Sequence, residues 1–444
     1  MLKLSSKLAV IVSTVDILSA ELSTMRFCNT IRQFIAVSGY LLAGCVAHAA
    51  DIHVAPTGSD ANGNGSATLP YREIRKSLDH IKPGDTILVA DGRYLGFTVL
   101  NLKATKEKPV TLKAQGQKAE ILPTSDRRDN RDTIYIDGCS YVVIDGFHSF
   151  HANRAAVRLE AGEHITVRNC VFGNNERWGI FTGHCDDLLI ENNECFGSVK
   201  EHGIYTGNSG DRPVIRGNRV HDNAGCGIHM NADLSCGGDG IISGACVEDN
   251  IIYGNCRKGG GGINMDGVQD SLIQNNLLFN NHATGITCFR GNGAAGPGGL
   301  RIFHNTIVMA SDARYALQFG QTVRGNTVRN NILYNMNPAR GGLAYFDAAA
   351  DIPNVDSAYN IFSKEAPMIA VNDWKTRYTL SQWQAMGHEK HSFVCSQADL
   401  FFNAVANDYS PAKGSPAIGK GAPLDDGRSG NVPGNKPAPD IGCR

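Results

Sequence analysis

The sequence has no excess of charge of one sign, because 42 Lys and Arg residues stand against 43 Asp and Glu residues and the formal net charge is −1. This balance excludes bulk electrostatic attraction to nucleic acid or to an anionic membrane, so no nucleic-acid partner is expected. The chain also lacks long blocks of like charge, and its 42% hydrophobic content argues against disorder. Its 50 glycines lack the three-residue period of collagen. These absences leave a folded globular or solenoid body.

The N-terminal 1–49 segment has the features of a signal peptide. Arg26 and Arg32 precede an apolar run that ends in the small-residue pattern Ala-His-Ala at 47–49. The run is too short and too interrupted by Gly and Ser to be a retained membrane anchor, so no transmembrane segment is predicted in the mature chain. Residues before Met25 are an upstream start, part of a longer leader or a misassigned beginning. The sequence predicts secretion or export to the periplasm, and Cys45 stands where a bacterial lipoprotein would be lipidated.

The chain contains thirteen cysteines, of which eleven follow the leader. An odd number predicts at least one free or intermolecularly paired thiol in an oxidising compartment. Cys226 and Cys256 are spaced to bridge neighbouring repeats, as are Cys236 and Cys246. The cysteine spacings do not match a zinc motif, and no metal ligand set is predicted. Three cysteines stand among apolar residues and are predicted to be buried: Cys170, Cys195 and Cys288.

A short motif, Asn followed two residues later by an apolar residue and then an aromatic residue or His, recurs at intervals of 24 to 32 residues. Each unit also has a β-like run before the Asn, and several have a Gly-Ile pair after it. Short strands separated by Gly and Asn can bury their apolar side chains only by stacking on the next unit. The motif begins at these positions: Asn169, Asn193, Asn218, Asn250, Asn276, Asn331 and, more weakly, Asn305.

The repeat predicts an all-β fold, a single-stranded right-handed parallel β-helix, in which the recurring Asn residues hydrogen-bond from coil to coil. A leucine-rich repeat is the main competitor, but its leucine signature is missing. Helical spacing over 71–81 predicts a cap helix within an N-terminal region of cap and first coils, 50–125. The repeats follow over 126–365, and C-terminal coils and a tail over 366–444. Trp374 and Trp383 are expected to anchor that tail.

The opening HVAPTGSDANGNGSATLPYREIRKSLDHIKPGDTILVADGRY, the coils, and the closing SPAIGKGAP and PDIGCR together resemble the extracellular right-handed β-helix superfamily. That superfamily contains pectate-lyase-like polysaccharide lyases and alginate epimerases. The resemblance implies a secreted carbohydrate-active protein with a polysaccharide as its partner. The catalytic series of polygalacturonases, the Asp-Pro-His element of alginate epimerases and the calcium-binding Asp cluster of pectate lyases are absent from the sequence.

Strand residues alternate between the two faces of a sheet, so an inward register for the Gly-Ile isoleucines turns the following residues outward. This register predicts an outward column of Arg158, Phe181, Tyr205, His229, Asn264, Thr287 and Gln318. A second column, two residues further along each strand, contains Gly183, Gly207, Asn231, Asp266, Phe289 and Gly320. The two columns define a shallow groove along the stacked coils.

The middle of this groove is the predicted site. For β-elimination on a uronate polymer, His229 is the candidate base and Tyr205 the candidate acid, or the base if an arginine lowers its pKa. Arg290 is the candidate for neutralising the substrate carboxylate, with Arg257 or Lys258 as alternatives. Asp266 is a further catalytic candidate, which would orient sugar hydroxyls or hold a cation. Other side chains are predicted to bind sugar: Asn231, Asn264, His202, Phe181 and Trp178, the two aromatic rings as platforms.

An insertion at 232–243 is predicted to form a wall beside His229. No cofactor is indicated by a motif, although a calcium ion held by Asp233, Asp239 and Asp266 is compatible with oxygen chemistry. Several activities stay open: a polysaccharide lyase, a C5-epimerase, a glycoside hydrolase using Asp266 with Asp239, or a noncatalytic glycan-binding module at the cell surface. A monomer is expected.

Overall fold

The computed structural model describes residues 49–123, 131–424 and 439–443, and the predicted leader with Cys45 lies outside them. These described residues belong to one compact unit. Within the described part, three sheets of twelve strands run along a β-helix, and consecutive coils pair in parallel. None of the helices in these ranges reaches the length and apolarity that crossing a membrane requires.

The first sheet contains the strands Asp51–Val54, Thr86–Val89, Val110–Ala114, Val142–Asp145, Thr166–Arg168, Leu189–Glu191, Val214–Arg216, Cys246–Glu248, Leu272–Gln274, Arg301–Phe303, Asn326–Arg329 and Val355–Ala358. The second contains Gly92–Leu95, Ala119–Leu122, His148–Phe150, Val171–Gly173, Glu194–Phe196, Arg219–His221, Ile251–Tyr253, Leu277–Phe279, Thr306–Met309, Ile332–Asn335, Ile361–Ser363 and Phe393–Cys395. The third contains Phe97–Leu100, Ile134–Asp137, Ala155–Glu160, Trp178–Gly183, Ile204–Gly207, Ile228–Asn231, Gly261–Asp266, Thr284–Phe289, Tyr315–Phe319, Gly341–Tyr345, Met368–Val371 and Thr376–Thr379, the last of them antiparallel to its neighbour.

Smaller elements surround the coils. Two-stranded sheets pair Ile242–Ser243 with Val268–Gln269 and Phe401–Asn403 with Asp408–Pro411. Helices span Ile74–Leu78, Ala348–Asp351, Leu380–Ala385 and Gln397–Leu400, with 3-10 turns at Leu234–Cys236, Ile352–Asn354 and Ala404–Ala406. The predicted cap helix is therefore present but shorter than 71–81, and it buries Ile74 against the first coils.

The helix Leu380–Ala385 anchors the C-terminal coils. Thr379 and Gln382 form a capping box at the start of Leu380–Ala385, which fixes the direction in which the chain enters the helix. The helix buries Trp383, 3% exposed, against Tyr345 and Tyr378. Trp374 packs on Tyr315, so the two tryptophans hold the segment 374–383 against the coils. The tail itself packs through Leu400 and Ile441 in a separate apolar cluster.

The asparagine ladder is confirmed, with one correction of register. Asn218 Nδ2 donates to Oδ1 of Asn250, and Asn250 Nδ2 donates to Oδ1 of Asn276 in the next coil. Asn193 is the first member, because the residue beneath it is Cys170, whose backbone amide donates to Asn193 Oδ1. Asn169 instead adopts a left-handed turn conformation, with φ of 55°. The predicted motif at Asn169 was therefore one residue out of step with the coils above it.

A second ladder was not predicted. In it, Asn223 Nδ2 donates to Oδ1 of Asn255, and Asn255 Nδ2 donates to Oδ1 of Asn281. Asn175 occupies the same row, but Ser198 interrupts it, and Asn175 Nδ2 has no hydrogen-bond partner among the described residues. Two asparagine rows therefore support the corners of the coils on either side of the second sheet.

The cysteines differ from the expectation of disulfides. Cys226, Cys256 and Cys236 are free thiols, so neither predicted bridge is formed. Burial raises the pKa of the Cys226 thiol to about 12 and that of Cys256 well above its usual range. Disulfide exchange needs the thiolate, and burial in apolar surroundings disfavours the thiolate form of both cysteines. The predicted burial of three cysteines is confirmed: Cys170, Cys195 and Cys288 are at most 1% exposed.

Candidate functional site

The third sheet presents the predicted outward column in the predicted register. Phe181 pairs with Arg158 on one side and Tyr205 on the other, and Tyr205 pairs with His229. The column continues through Asn264, Thr287 and Gln318. The second column follows the same pairing, from Gly207 through Asn231 and Asp266 to Phe289. The register places chemically different side chains directly above one another on one outer face.

Aromatic rings form a continuous stack along this face. Phe181 lies between Trp178 and Tyr205, with ring centroids 4.5 and 5.0 Å apart, and Tyr205 stacks on His202 at 5.6 Å. Trp178 is only 8% exposed, so it supports the stack and does not offer the sugar platform that the sequence suggested. Phe181 remains partly exposed. The rigid stack fixes the position of the Tyr205 ring.

Tyr205 is hydrogen-bonded to the second column. Asn231 Nδ2 donates to the Tyr205 hydroxyl oxygen at 2.9 Å. Burial is the main cause that raises the pKa of Tyr205 to about 12, against the opposing effect of this hydrogen bond. Asn231 is 6% exposed, and its Oδ1 has no hydrogen-bond partner within the described part of the chain. A buried acceptor without a partner in the protein is uncommon, and this one belongs to the side chain that contacts the Tyr205 hydroxyl.

His202 joins the site by contact with His229. His202 Nε2 lies 3.0 Å from His229 Nδ1, and the backbone amide of Cys226 donates to His202 Nδ1 at 2.9 Å. Burial lowers the pKa of His202 to about 4; burial first and then His202 lower the pKa of His229 well below its usual value. The possible ligand atoms of His202, Cys226 and His229 lie within 4.8 Å of one another, the one such group of three found among the described residues. The sequence spacings gave no sign of this cluster.

Asp266 holds a loop. Its Oδ1 accepts from the amides of Gly291 and Gly293 at 2.7 and 3.1 Å, and its Oδ2 accepts from the amide of Asn292 at 2.7 Å. Both oxygens are therefore occupied by backbone donors, and Asp266 is 3% exposed. This environment is unlike that expected for a sugar-orienting or calcium-binding carboxylate.

The predicted wall at 232–243 packs against that same loop. The amide of Leu234 donates to the carbonyl of Asn292, and the amide of Ala294 donates to the carbonyl of Gly240. Asp233 accepts from the amide and the hydroxyl of Ser235 within its own turn. Asp239 accepts from the amide of Ile241. The three Asp residues proposed for calcium thus serve local turns or the loop 291–293, and their oxygens do not form one of the close groups of ligand atoms found in the described part of the chain.

The candidate cationic residues occupy different places. Arg290 is exposed directly after Phe289, and its backbone amide donates to Gln321 Oε1. Arg257 lines a surface cavity of about 440 Å³ at the start of the neighbouring strands. Lys258 is exposed, and its Nζ donates to the carbonyl of Val199 in an earlier coil. Asn264, in contrast, is nearly buried directly beside His229 in the outward column.

The face also contains a charged group for which the sequence suggested no role. Arg158 lies over the Phe181 ring at 5.0 Å and forms an ion pair of 2.7 Å with Glu160. His184 Nδ1 lies 3.2 Å from the same carboxylate, and one coil earlier the Tyr135 hydroxyl donates to an Asp side chain. The predicted register placed Arg158 in the outward column. Its ion pair with Glu160, two residues further along the strand, follows from the side-chain conformations, which the sequence pattern does not give.

Comparisons with known proteins agree on the architecture. The family model described as right handed beta helix region matches residues 124–236, which confirms the predicted hand of the coil. The structure resembles a crystal structure of pectate lyase Pel9A with a TM-score of 0.58 and 17% identity over 90% of this chain and 96% of that one. An alginate lyase from Paenibacillus sp. str. FPU-7 gives a TM-score of 0.48 and 20% identity over 61% and 94%. PfbA, a surface adhesin of Streptococcus pneumoniae, gives 0.45 and 10% over 68% and 88%. No curated protein sequence matches significantly.

Proposed function

We propose that the protein is a secreted or periplasmic carbohydrate-active enzyme, and specifically a polysaccharide lyase that cleaves a uronate-containing polysaccharide by β-elimination. The observation that carries the proposal is the hydrogen bond from Asn231 Nδ2 to the Tyr205 hydroxyl oxygen, at the centre of the outward column. The fold shared with a pectate lyase supports a polysaccharide as the ligand. The leader of the sequence supports export.

The shape of the face suits a chain of sugars. Stacked coils are spaced about 4.8 Å apart, roughly the length of one sugar ring, so successive rings meet successive coils. Phe181 supplies an apolar surface at one end of the site. Beyond His229 the column continues through the buried Asn264 and Thr287, and the exposed Arg290 follows the second column at the other end.

Tyr205 is the group to which we assign proton transfer. As the phenolate it takes the C5 proton of the uronate, the C4–O4 bond breaks as the C4=C5 double bond forms, and the same proton passes to the departing O4. Asn231 Nδ2 donates to the phenolate and stabilises it, while the stack on Phe181 holds the ring in place. Arg290 is assigned to the substrate carboxylate because it is exposed beyond the second column.

The alternatives are less well supported by the site. A glycoside hydrolase needs two available carboxylates, and Asp266, its one predicted central member, is occupied by three backbone amides. An epimerase shares removal of the C5 proton but returns a proton to C5 from the opposite side and forms no unsaturated product. A binding module would use the same face without proton transfer.

The test measures the ultraviolet absorbance of unsaturated uronate when the purified chain is mixed with alginate, pectate or glycosaminoglycans, with and without a chelator. We expect a rise on one acidic polymer and a loss of at least about 100-fold in Tyr205→Phe. Tyr253→Phe is the matched control, since Tyr253 lies in an aromatic stack on the second sheet. Hydrolysis of neutral glycans without any unsaturated product would overturn the proposal, as would full activity in Tyr205→Phe.

A further inference from the structure

We propose that His202 is a positioning residue for His229. Its hydrogen bond to His229 Nδ1 places the single proton of neutral His229 on Nε2, and His229 can then donate this Nε2–H at the substrate face. The catalytic consequence rests on the lyase function proposed above, whereas the hydrogen-bond chain does not depend on it. The chain has three members, and each member determines the proton position of the next.

The first member is the backbone amide of Cys226, which can only donate. It points at His202 Nδ1 at 2.9 Å, so that nitrogen accepts and has no proton. A neutral imidazole then has its proton on Nε2, which lies 3.0 Å from His229 Nδ1. His229 Nδ1 therefore accepts, and the single proton of neutral His229 is on Nε2.

The same chain keeps both rings neutral. A further proton on His202 would face the Cys226 amide, and a further proton on His229 Nδ1 would face the Nε2–H of His202. The lowered pKa values of the two histidines agree with this geometry. Among the described residues, Glu201 Oε2 is the carboxylate oxygen found within 4.0 Å of His202 Nε2, and Glu201 is paired with Arg177 at 2.9 Å. The other groups facing the pair are the Tyr205 ring, a neutral phenol, and the buried thiol of Cys226.

The hydrogen-bond chain also argues against binding of a metal ion by His202, Cys226 and His229. A neutral His202 that coordinates zinc through Nε2 must have its proton on Nδ1, where the Cys226 amide already donates. Coordination would therefore break two hydrogen bonds of the cluster. His229 also cannot accept the C5 proton through Nε2, since that nitrogen already has a proton. It is suited instead to donate to the carboxylate or to the oxygen on which negative charge develops.

The experiment is ¹⁵N NMR of the full chain labelled at histidine, which reports the tautomer and titration of each ring. We expect His229 to be the Nε2–H tautomer at neutral pH and to stay neutral well below the ordinary histidine pKa of about 6.5. In His202→Phe, which retains a ring against Tyr205, we expect a mixture of tautomers and a raised His229 pKa. His202→Gln should retain the Nε2–H tautomer, because a side-chain amide can both accept and donate. His221→Phe, which alters a stacked histidine of the second sheet, is the matched control.

On an active polymer, we expect His202→Phe to raise KM about tenfold with a smaller change in kcat. In His202→Gln, we expect KM to stay close to that of the unmodified protein. An Nδ1–H tautomer of His229, or titration of His229 near pH 6.5, would overturn the inference whatever the activity. So would stoichiometric zinc binding that shifts both ring signals. Absence of lyase activity together with the expected tautomers would reject the proposed function and leave the hydrogen-bond chain established.

Discussion

Asn218 and Asn250, 32 residues apart in the sequence, are joined in adjacent coils by two hydrogen bonds to one atom. The backbone amide and the Nδ2 of Asn218 donate to Asn250 Oδ1 at 2.9 and 3.0 Å. Asn250 Nδ2 in turn donates to the carbonyl of Ile215 and to Asn276 Oδ1. Because Asn250 is fully buried, the ladder satisfies backbone groups at a corner where no strand pairing reaches them.

Replacement of one ladder member should therefore destabilise the whole stack. Asn250→Ala removes four buried hydrogen bonds of the Asn250 side chain, each worth about 0.5 to 1.5 kcal/mol, and leaves the backbone amide of Asn218 without its acceptor, which costs about 1 to 3 kcal/mol. We expect the free energy of unfolding, measured by chemical denaturation, to fall by at least about 3 kcal/mol. Asn62→Ala, at an exposed turn, is the control and should change it by less than about 0.5 kcal/mol. An equal effect of the two substitutions would contradict the stabilising role of the ladder.

The fold could be predicted because the Asn motif and the Gly-Ile pair recur along the sequence. Apolar residues at one position of every coil fixed the register of the third sheet, and the pairing of Ile180, Ile204 and Ile228 confirms it. The error at Asn169 has a simple cause: the sequence has Asn-Cys there and Asn-Asn one coil later, so the motif could be aligned in two ways. Hydrogen bonding to Asn193 selects Cys170.

The site was predictable only in part. Register alone placed Tyr205 beside His229, because pairing along a parallel sheet follows from the repeat. The contact between His202 and His229 depends on a turn and on two side-chain rotations, which no periodicity describes. The role of Asp266 could not be predicted either, because its hydrogen-bond partners belong to the loop after Thr284–Phe289, the neighbouring strand of the third sheet.

Asp266 is expected to support the wall of the site and not to take part in the chemistry. In Asp266→Ala, the amides of the loop 291–293 lose their acceptor, so hydrogen exchange in this loop should accelerate at least about tenfold. Asp239→Ala, within the wall itself, should leave that loop protected. Loss of activity in Asp266→Ala with unchanged exchange of 291–293 would instead indicate a catalytic or metal-binding carboxylate.

Thiol reactivity should follow burial. Cys236 is an exposed free thiol in the wall, whereas Cys288 is fully buried and burial raises its pKa above the usual range. A thiol reagent added to the folded protein should therefore show a fast phase that Cys236→Ser removes and Cys288→Ser leaves unchanged. If a disulfide forms at Cys236 in the mature protein, the fast phase will be absent until a reductant is added, and the free thiol of the structure will be contradicted.

The pH dependence of cleavage separates the two candidate bases. Burial raises the pKa of Tyr205 to about 12, so the phenolate fraction increases with pH throughout the neutral range. If Tyr205 is the base, kcat/KM should rise about tenfold per pH unit between about pH 6 and pH 9, where the uronate carboxylates are already ionised. If His229 is the base, its active form is the neutral ring. Because the pKa of His229 is lowered, His229 is fully neutral over the same pH range, and kcat/KM would not change with pH. Circular dichroism at each pH controls for unfolding, and His202→Phe provides a second check: with Tyr205 as the base the slope persists in this variant, whereas a new acid limb near pH 6.5 would assign proton transfer to His229.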